Sequence, residues 1–193
     1  PEEGLFEFLA DAKEIDELFM VVDEEMKMMS AVCPGGGQII GPLLKQMSRL
    51  SHTEYLLEGK TDLDPRDVLR ATMFAPTVTG SPVENAAAVI RRYETTGRGY
   101  YSGVLALFEA QPDKPGVYDL DAPILIRTAQ IDARGRLSVS AGATLVRGST
   151  PEGEVAETRV KALGMLSALG LVQAPPAVHA PDINALPGVQ AAL

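Results

Sequence analysis

The chain opens with a long amphipathic stretch. From Leu5 to Met29 the sequence LFEFLADAKEIDELFMVVDEEMKMM carries apolar residues at helical spacing and contains neither glycine nor proline. This pattern predicts one long, largely buried helix. The sequence CPGGG at 33–37 then ends it, because glycine and proline interrupt helical backbone.

Three later segments begin with a capping residue followed by proline, an arrangement typical of helix starts. The predicted caps are Asp64, Ser81 and Thr150. Gly97 is predicted to end the second of these helices. The third includes the sequence EGEVAETRVKALGMLSALG and is predicted to be long.

Runs rich in β-branched and aromatic residues lie between the helices and predict short strands. They occupy 38–60, 100–109, 122–132 and 136–146, with a bend at Gly41 and Pro42 and a hairpin turn at 132–135. The order of elements predicts an α+β fold in which an antiparallel sheet packs against helices.

Composition and net charge argue against several classes of function. The 193 residues are enough for one substantial core, and the net charge of −9 argues against binding to nucleic acid or an anionic membrane. Apolar runs are too short to span a bilayer. The single cysteine, Cys33, excludes an internal disulfide and favours the reducing cytoplasm.

Because the chain starts at Pro1, we expect it to be part of a longer protein. Residues 171–193, which are rich in proline and alanine, are expected to be a linker.

Two pairs of carboxylates have i, i+3 spacing, which places both members on one helix face. They are Glu14 with Glu17, and Glu154 with Glu157. A solvated surface is the commoner explanation for a single acidic pair. The alternative is a cage of four carboxylates for a hard divalent cation such as Mg²⁺, which prefers oxygen ligands.

Other candidate residues each leave two interpretations open. The sequence PTVTGSP at 76–82 could bind an anion or form an ordinary turn before a helix. Arg127, in an apolar run, either pairs with a buried acid or holds a substrate carboxylate. The small residues at 140–144 could let backbone N–H groups approach a ligand. His52 is either a hydrogen-bonded core residue or an active-site group, and no second ligand at suitable spacing supports zinc.

Seven of these motifs, taken together and in order, resemble the chorismate-utilising enzymes. They are KEIDELFMVVDEE, LSHTEYLLEG, PTVTGSP, GRGYYSGVLALF, APILIRTA, SAGATLV and TPEGEVAETRVKA. The resemblance covers residues 1–170, as the C-terminal part of the catalytic domain, and implies an α/β sandwich like that of aminodeoxychorismate synthase. Within the family, MFAPTVTGSPVENA and GAT resemble the phenazine-type 2-amino-2-desoxyisochorismate synthases.

The resemblance also implies a role for each candidate residue. Glu14, Glu17, Glu154 and Glu157 would bind Mg²⁺, and His52 would be a catalytic residue near the substrate ring. The substrate-binding residues would be Thr77, Tyr101, Arg127, Gly142, Ala143, Thr144 and Lys161.

The implied reaction is amination of chorismate at C2 with loss of the C4 hydroxyl, using ammonia that a glutamine amidotransferase domain releases from glutamine. Anthranilate synthase component I is the alternative enzyme, and a non-catalytic binding or assembly module is the alternative outside enzymes. The family's general acid and its ammonia-selecting residue are expected upstream of Pro1, so this chain alone is expected to be inactive. A homodimer is also compatible with the resemblance.

We predict that His52→Ala in the full-length protein lowers turnover and leaves the fold intact, because the resemblance places this imidazole beside the reacting ring. Steady-state kinetics together with circular dichroism test this prediction. Unchanged turnover would return His52 to the role of a core residue.

Overall fold

The computed structural model describes residues 2–46 and 51–173, except for the side chains of Glu2, Glu3, Leu5, Ser51 and His52. The described helices are α1 (Glu2–Leu9), α2 (Ala12–Val32), α3 (Pro65–Thr72), α4 (Pro76–Thr79), α5 (Val83–Tyr93) and α6 (Pro151–Ala168). The described strands are β1 (Gln38–Gln46), β2 (Ser51–Glu58), β3 (Leu107–Ala110), β4 (Tyr118–Asp121), β5 (Ala129–Ile131) and β6 (Leu137–Val139). Most of the predicted linker, from 174 onwards, lies outside the described residues.

The prediction of a single buried first helix is wrong. The chain breaks between α1 and α2, where the Asp11 side chain accepts a hydrogen bond of 2.8 Å from the Lys13 backbone N–H and caps α2. An N-cap residue has an extended backbone, so it cannot continue the preceding helix. The helix α2 is also less buried than expected, since Val32 is its one buried residue and Phe19 is 67% exposed.

The helix starts predicted at Asp64 and Thr150 are confirmed, because both side chains cap the helix that follows. The start predicted at Ser81 is wrong by one residue. Pro82 occupies the capping position of α5, and the Ser81 hydroxyl instead donates a 2.6 Å hydrogen bond to Glu24 Oε1 on α2. Furthermore, α5 ends at Tyr93, before Gly97, and the short helix α4 was not predicted.

The combination of helices with antiparallel strands confirms the predicted fold class. The described strands form three separate two-stranded sheets, β1 with β2, β3 with β4, and β5 with β6, whereas one sheet was expected. The register of β1 shifts between Ile40 and Leu43, which confirms the predicted bend. The turn at 132–135 joins β5 to β6, also as predicted.

The runs at 100–109 and 122–132 are mostly loops, with a single bridge between Val104 and Ile124. Ser102 and Arg127 have positive φ angles of 66° and 52°, which are incompatible with a continuous strand. The backbone therefore turns at these points and brings neighbouring side chains to one cavity. None of the described helices is long and apolar enough to cross a membrane.

The start of α6 depends on its cap, since Thr150 Oγ1 accepts a hydrogen bond of 3.2 Å from Gly153 N. We predict that Thr150→Ala destabilises the full-length protein by about 1 kcal/mol, the usual cost of losing such a cap. Thr150→Ser keeps the hydroxyl and should retain most of the stability. Thermal unfolding of both variants tests this, and equal losses would exclude the cap as the cause.

Candidate active site

A cavity of about 1250 Å³ lies between α2, β2, α4, α6 and the loops around 98–101, 124–127 and 140–144. Its volume is sufficient for a small organic ligand. Ten of the twelve residues predicted from the sequence lie in its lining: Glu14, Glu17, Thr77, Tyr101, Arg127, Gly142, Ala143, Thr144, Glu157 and Lys161. The structure therefore brings together residues that are up to 147 positions apart in the sequence.

The two carboxylate pairs converge on one ammonium group, that of Lys13. Its Nζ lies 3.3 Å from Glu14 Oε1 and 4.0 Å from Glu17 Oε2, both on its own helix. From α6, Glu154 Oε1 lies at 3.3 Å and Glu157 Oε2 at 3.2 Å. Lys13 was not predicted from the sequence, because two of its four carboxylate partners lie far away in the chain, on α6. The convergence rules out two unrelated solvated pairs.

Burial and charge set the protonation of this cluster. Burial alone would lower the pKa of Lys13, but its hydrogen bond with Glu157 and the nearby carboxylates outweigh burial and raise it. Burial raises the pKa of Glu17. Burial also acts to raise the pKa of Glu157, yet the hydrogen bond and charge of Lys161, together with Lys13, lower it overall. Lys13 is therefore held as a cation.

Glu154 is the most enclosed member of the cluster, with 7% of the residue exposed. Neither of its carboxylate oxygens has a hydrogen-bond partner among the described residues, although Lys13 lies within ion-pair distance. A buried carboxylate with unsatisfied oxygens is costly unless a cation is present. Four carboxylates are also the donor set that a hard divalent cation prefers.

The cluster fits such a cation in chemistry but not in its present spacing. Within residues 2–46 and 51–173, no group of three or more acidic, histidine or cysteine side chains has the spacing needed to hold a metal ion. The oxygens stand 3.2–4.0 Å from the Lys13 ammonium. Mg²⁺ needs oxygens at about 2.0–2.1 Å, so the carboxylates would have to close in after Lys13 leaves.

A cationic side chain lies elsewhere in the cavity lining. Arg127 is in a loop, not in the predicted strand, and its Nε is buried without a hydrogen-bond partner. No described carboxylate forms an ion pair with it, so the interpretation as a structural ion pair lacks support. Burial lowers the pKa of Arg127, but the group remains charged at neutral pH because guanidinium pKa values are so high. The side chain is thus available to an anion.

Tyr101 packs against the backbone of Gly142. A Cβ atom added at Gly142 would overlap the Tyr101 hydroxyl, so only glycine permits this approach. Arg98, which was not predicted from the sequence, lies over the Tyr101 ring at 5.8 Å from its centroid. It also hydrogen-bonds Val78 O at 2.7 Å and both carboxylate oxygens of Glu94. Arg98 therefore positions Tyr101, and its i, i+4 spacing from Glu94 was the one sequence signal for it.

A chain of hydrogen bonds joins Thr144 to α2. Thr144 Oγ1 donates to Thr77 O at 2.7 Å, and Thr77 Oγ1 donates to Glu25 Oε1 at 3.3 Å. Glu25 lines the cavity but was not predicted, although it lies about two turns beyond Glu17 on the same helix. Burial raises its pKa, while the hydrogen bond from Thr77 opposes this effect.

For His52, the structure gives only the backbone, which pairs with that of Lys45 in the β1–β2 hairpin. Its side chain lies outside the described part of the chain. The next residue, Thr53, and also Tyr55 line the cavity. The role of His52 therefore stays a prediction.

Comparison with known proteins identifies the family. The profile of the chorismate binding enzymes matches residues 5–167, so the chain belongs to this family. It is 57% identical over 165 residues to the phenazine-specific anthranilate synthase of Pseudomonas chlororaphis. That alignment covers 86% of this chain and 26% of the relative.

Two further relatives extend the comparison. Anthranilate synthase component 1 of Escherichia coli is 34% identical over 168 residues, covering 84% of this chain and 31% of the relative. A solved structure from Bacillus anthracis, described as a 2,3-dihydroxybenzoate-specific isochorismate synthase, superposes with a TM-score of 0.71 at 26% identity. The superposition covers 86% of this chain and 43% of that structure. The chain thus spans about a quarter to a third of the length of these curated relatives.

The raised pKa of Glu25 predicts a pH-dependent effect on stability. Since the folded state binds this proton more tightly, stability falls as pH rises from the ordinary pKa of 4.5 through the raised value. Glu25→Gln removes the cost of ionisation, so the full-length variant should melt above the wild type at neutral pH and level with it below pH 4.5.

Glu24→Gln is the matched control. Hydrogen bonds from Ser81 and Lys27 lower the pKa of Glu24, so this variant should show the opposite sign at neutral pH. Thermal melts across this pH range provide the measurement. A Glu25→Gln difference that does not change with pH would contradict the assignment.

Proposed function

We propose that this chain is the C-terminal part of the catalytic domain of an enzyme that aminates chorismate at C2, with loss of the C4 hydroxyl, to give 2-amino-2-desoxyisochorismate. The observation that carries the proposal is the cavity whose lining combines Glu14, Glu17 and Glu157, which gather with Glu154 around Lys13, with Arg127, whose buried Nε has no hydrogen-bond partner among the described residues. Chorismate has two carboxylates, so its binding requires two separate cationic or hydrogen-bonding sites. The relative at 57% identity, named a phenazine-specific anthranilate synthase, supports an enzyme of the phenazine-specific type.

On this proposal, Arg127 and Tyr101 hold the carboxylate of the enolpyruvyl group. Arg127 has a free, buried Nε, and a guanidinium suits a carboxylate because it can donate two parallel hydrogen bonds. Burial keeps Tyr101 protonated by raising its pKa, which leaves its hydroxyl as a donor. The backbone at 142–144 and Thr77 would line the opposite side of the substrate.

The ring carboxylate would lie towards the acidic cluster, which requires a cation between them. Glu14, Glu17, Glu154 and Glu157 would hold Mg²⁺, some directly and some through water. When bound, Mg²⁺ supplies a Lewis acid that fixes and polarises the carboxylate. Lys161, hydrogen-bonded to Glu157, would add a second cation beside the substrate.

Ammonia would come from glutamine through a glutamine amidotransferase domain or subunit. Residues 171–193, which are rich in proline and alanine, would link the two activities within one polypeptide. His52 would orient the ring or move a proton near it. Because the alignments cover only part of the relatives, the full-length protein is the proper subject of assay.

A second candidate product is anthranilate. Several relatives are called anthranilate synthases, including the component 1 enzyme at 34% identity. In that reaction the enolpyruvyl group is eliminated as pyruvate after amination, and the ring becomes aromatic. The two candidates therefore share the first step and differ in the second.

We predict that the full-length protein converts chorismate, in the presence of Mg²⁺ and glutamine, to a non-aromatic amino acid that retains the enolpyruvyl ether. Mass spectrometry identifies this product, and a coupled assay detects pyruvate. Anthranilate with equimolar pyruvate would exclude our first choice in favour of the second. Failure to consume chorismate would contradict both.

A further inference from the structure

Lys13 lies where the acidic cluster would hold a divalent cation. Its ammonium is within 4.0 Å of all four carboxylates, two on α2 and two on α6. Mg²⁺ needs its oxygen ligands at about 2.0–2.1 Å, so it cannot share this space with a lysine Nζ. The two cations must therefore exclude each other.

The side chain of Lys13 has a route to solvent. Lys13 is the second residue of α2, and its side chain is 22% exposed, so its end can reach solvent by rotation about its own bonds. Gly148 lies beside the aliphatic part of the Lys13 side chain. A Cβ atom added at Gly148 would lie 3.4 Å from Lys13 Cβ and Cγ. No other described side chain is bonded to the ammonium besides the carboxylates themselves.

The excess negative charge of the four carboxylates favours a cation among them at all times. The two ammonium groups, of Lys13 and Lys161, face four carboxylates, so negative charge remains in excess. The need for a cation is greatest at Glu154, because its carboxylate oxygens are buried without hydrogen bonds among the described residues. Without Lys13 and without a metal, α2 and α6 would repel each other at this point.

We propose that Lys13 is an exchangeable internal counter-cation: it neutralises the cluster in the metal-free protein and is displaced when a divalent cation binds. The inference rests on the metal site of the proposed function. It assigns Lys13 a positioning role, because it holds the carboxylates near each other before the metal arrives. It also implies that Lys13 weakens the apparent affinity for the metal by competing with it.

Lys13→Met tests the competition, since methionine has a similar length and no charge. The full-length variant should bind Mn²⁺, measured by electron paramagnetic resonance, at least about tenfold more tightly than the wild type, because one unit charge at about 4 Å is strongly felt at a partly buried site. Without metal the variant should melt at a lower temperature than the wild type, and saturating Mn²⁺ should remove this difference. Lys27→Met is the matched control on the same helix, since Lys27 pairs with the exposed Asp23 and with Glu24, away from the cluster.

A second measurement needs no variant. Reductive methylation of the wild-type protein, read by peptide mass spectrometry, should modify Lys13 slowly without metal and faster with Mn²⁺, while Lys27 reacts equally in both. Methylation of Lys13 that Mn²⁺ leaves unchanged or slows would overturn the exchange.

The outcomes separate the two proposals. If wild type and Lys13→Met bind Mn²⁺ with equal affinity, or if the variant binds more weakly, the exchange is wrong while the metal site stands. If neither protein binds Mn²⁺, both the exchange and the metal site of the proposed function are wrong.

Discussion

The approach of α2 to α6 through opposed carboxylates and one ammonium is the interaction on which the rest of the site depends. The first turns of both helices contribute, with Glu14 in α2 and Glu154 in α6. The positive end of each helix dipole favours carboxylates there. Helix ends alone cannot neutralise four of them, so Lys13 and Lys161 add positive charge beside them. Because α6 is held here, its side chains face the loops that carry Arg127 and Gly142 across the cavity.

The cavity lining offers both carboxylates and a cationic side chain even though the chain is acidic overall. Carboxylates from α2 and α6 form one group, while Arg127 and Tyr101 lie on the loops. Such a layout suits a ligand that makes one cation-bridged contact and one direct contact with arginine. The net charge of −9 would repel an anionic ligand at long range, so binding must depend on these local groups. This is why Arg127, which has no ion-pair partner among the described residues, matters more for binding than the overall charge.

Local features could be predicted from the sequence, and features that depend on distant contacts could not. The caps at Asp64 and Thr150 were predictable because the side chain bonds to backbone within three residues. The helical spacing of each glutamate pair was equally local. Lys13 was missed because its decisive partner, Glu157, is 144 residues away. The division into three small sheets was missed because propensity indicates extended backbone but not which strand it pairs with.

Family resemblance supplied what spacing could not, by bringing together motifs that no local rule connects. It did not predict that an ammonium group lies among the four glutamates, because the motifs identify the glutamates and not what lies between them. Glu154 shows the difference most clearly. In the sequence it is one of many surface-like acids, whereas in the structure it is 7% exposed with neither oxygen hydrogen-bonded. A buried carboxylate in that position needs a cation nearby, and among the described residues the ammonium within reach of its oxygens belongs to Lys13. On the proposed exchange, the metal-free and metal-bound states would be two ways of meeting the same electrostatic requirement, and movement of Lys13 would connect them.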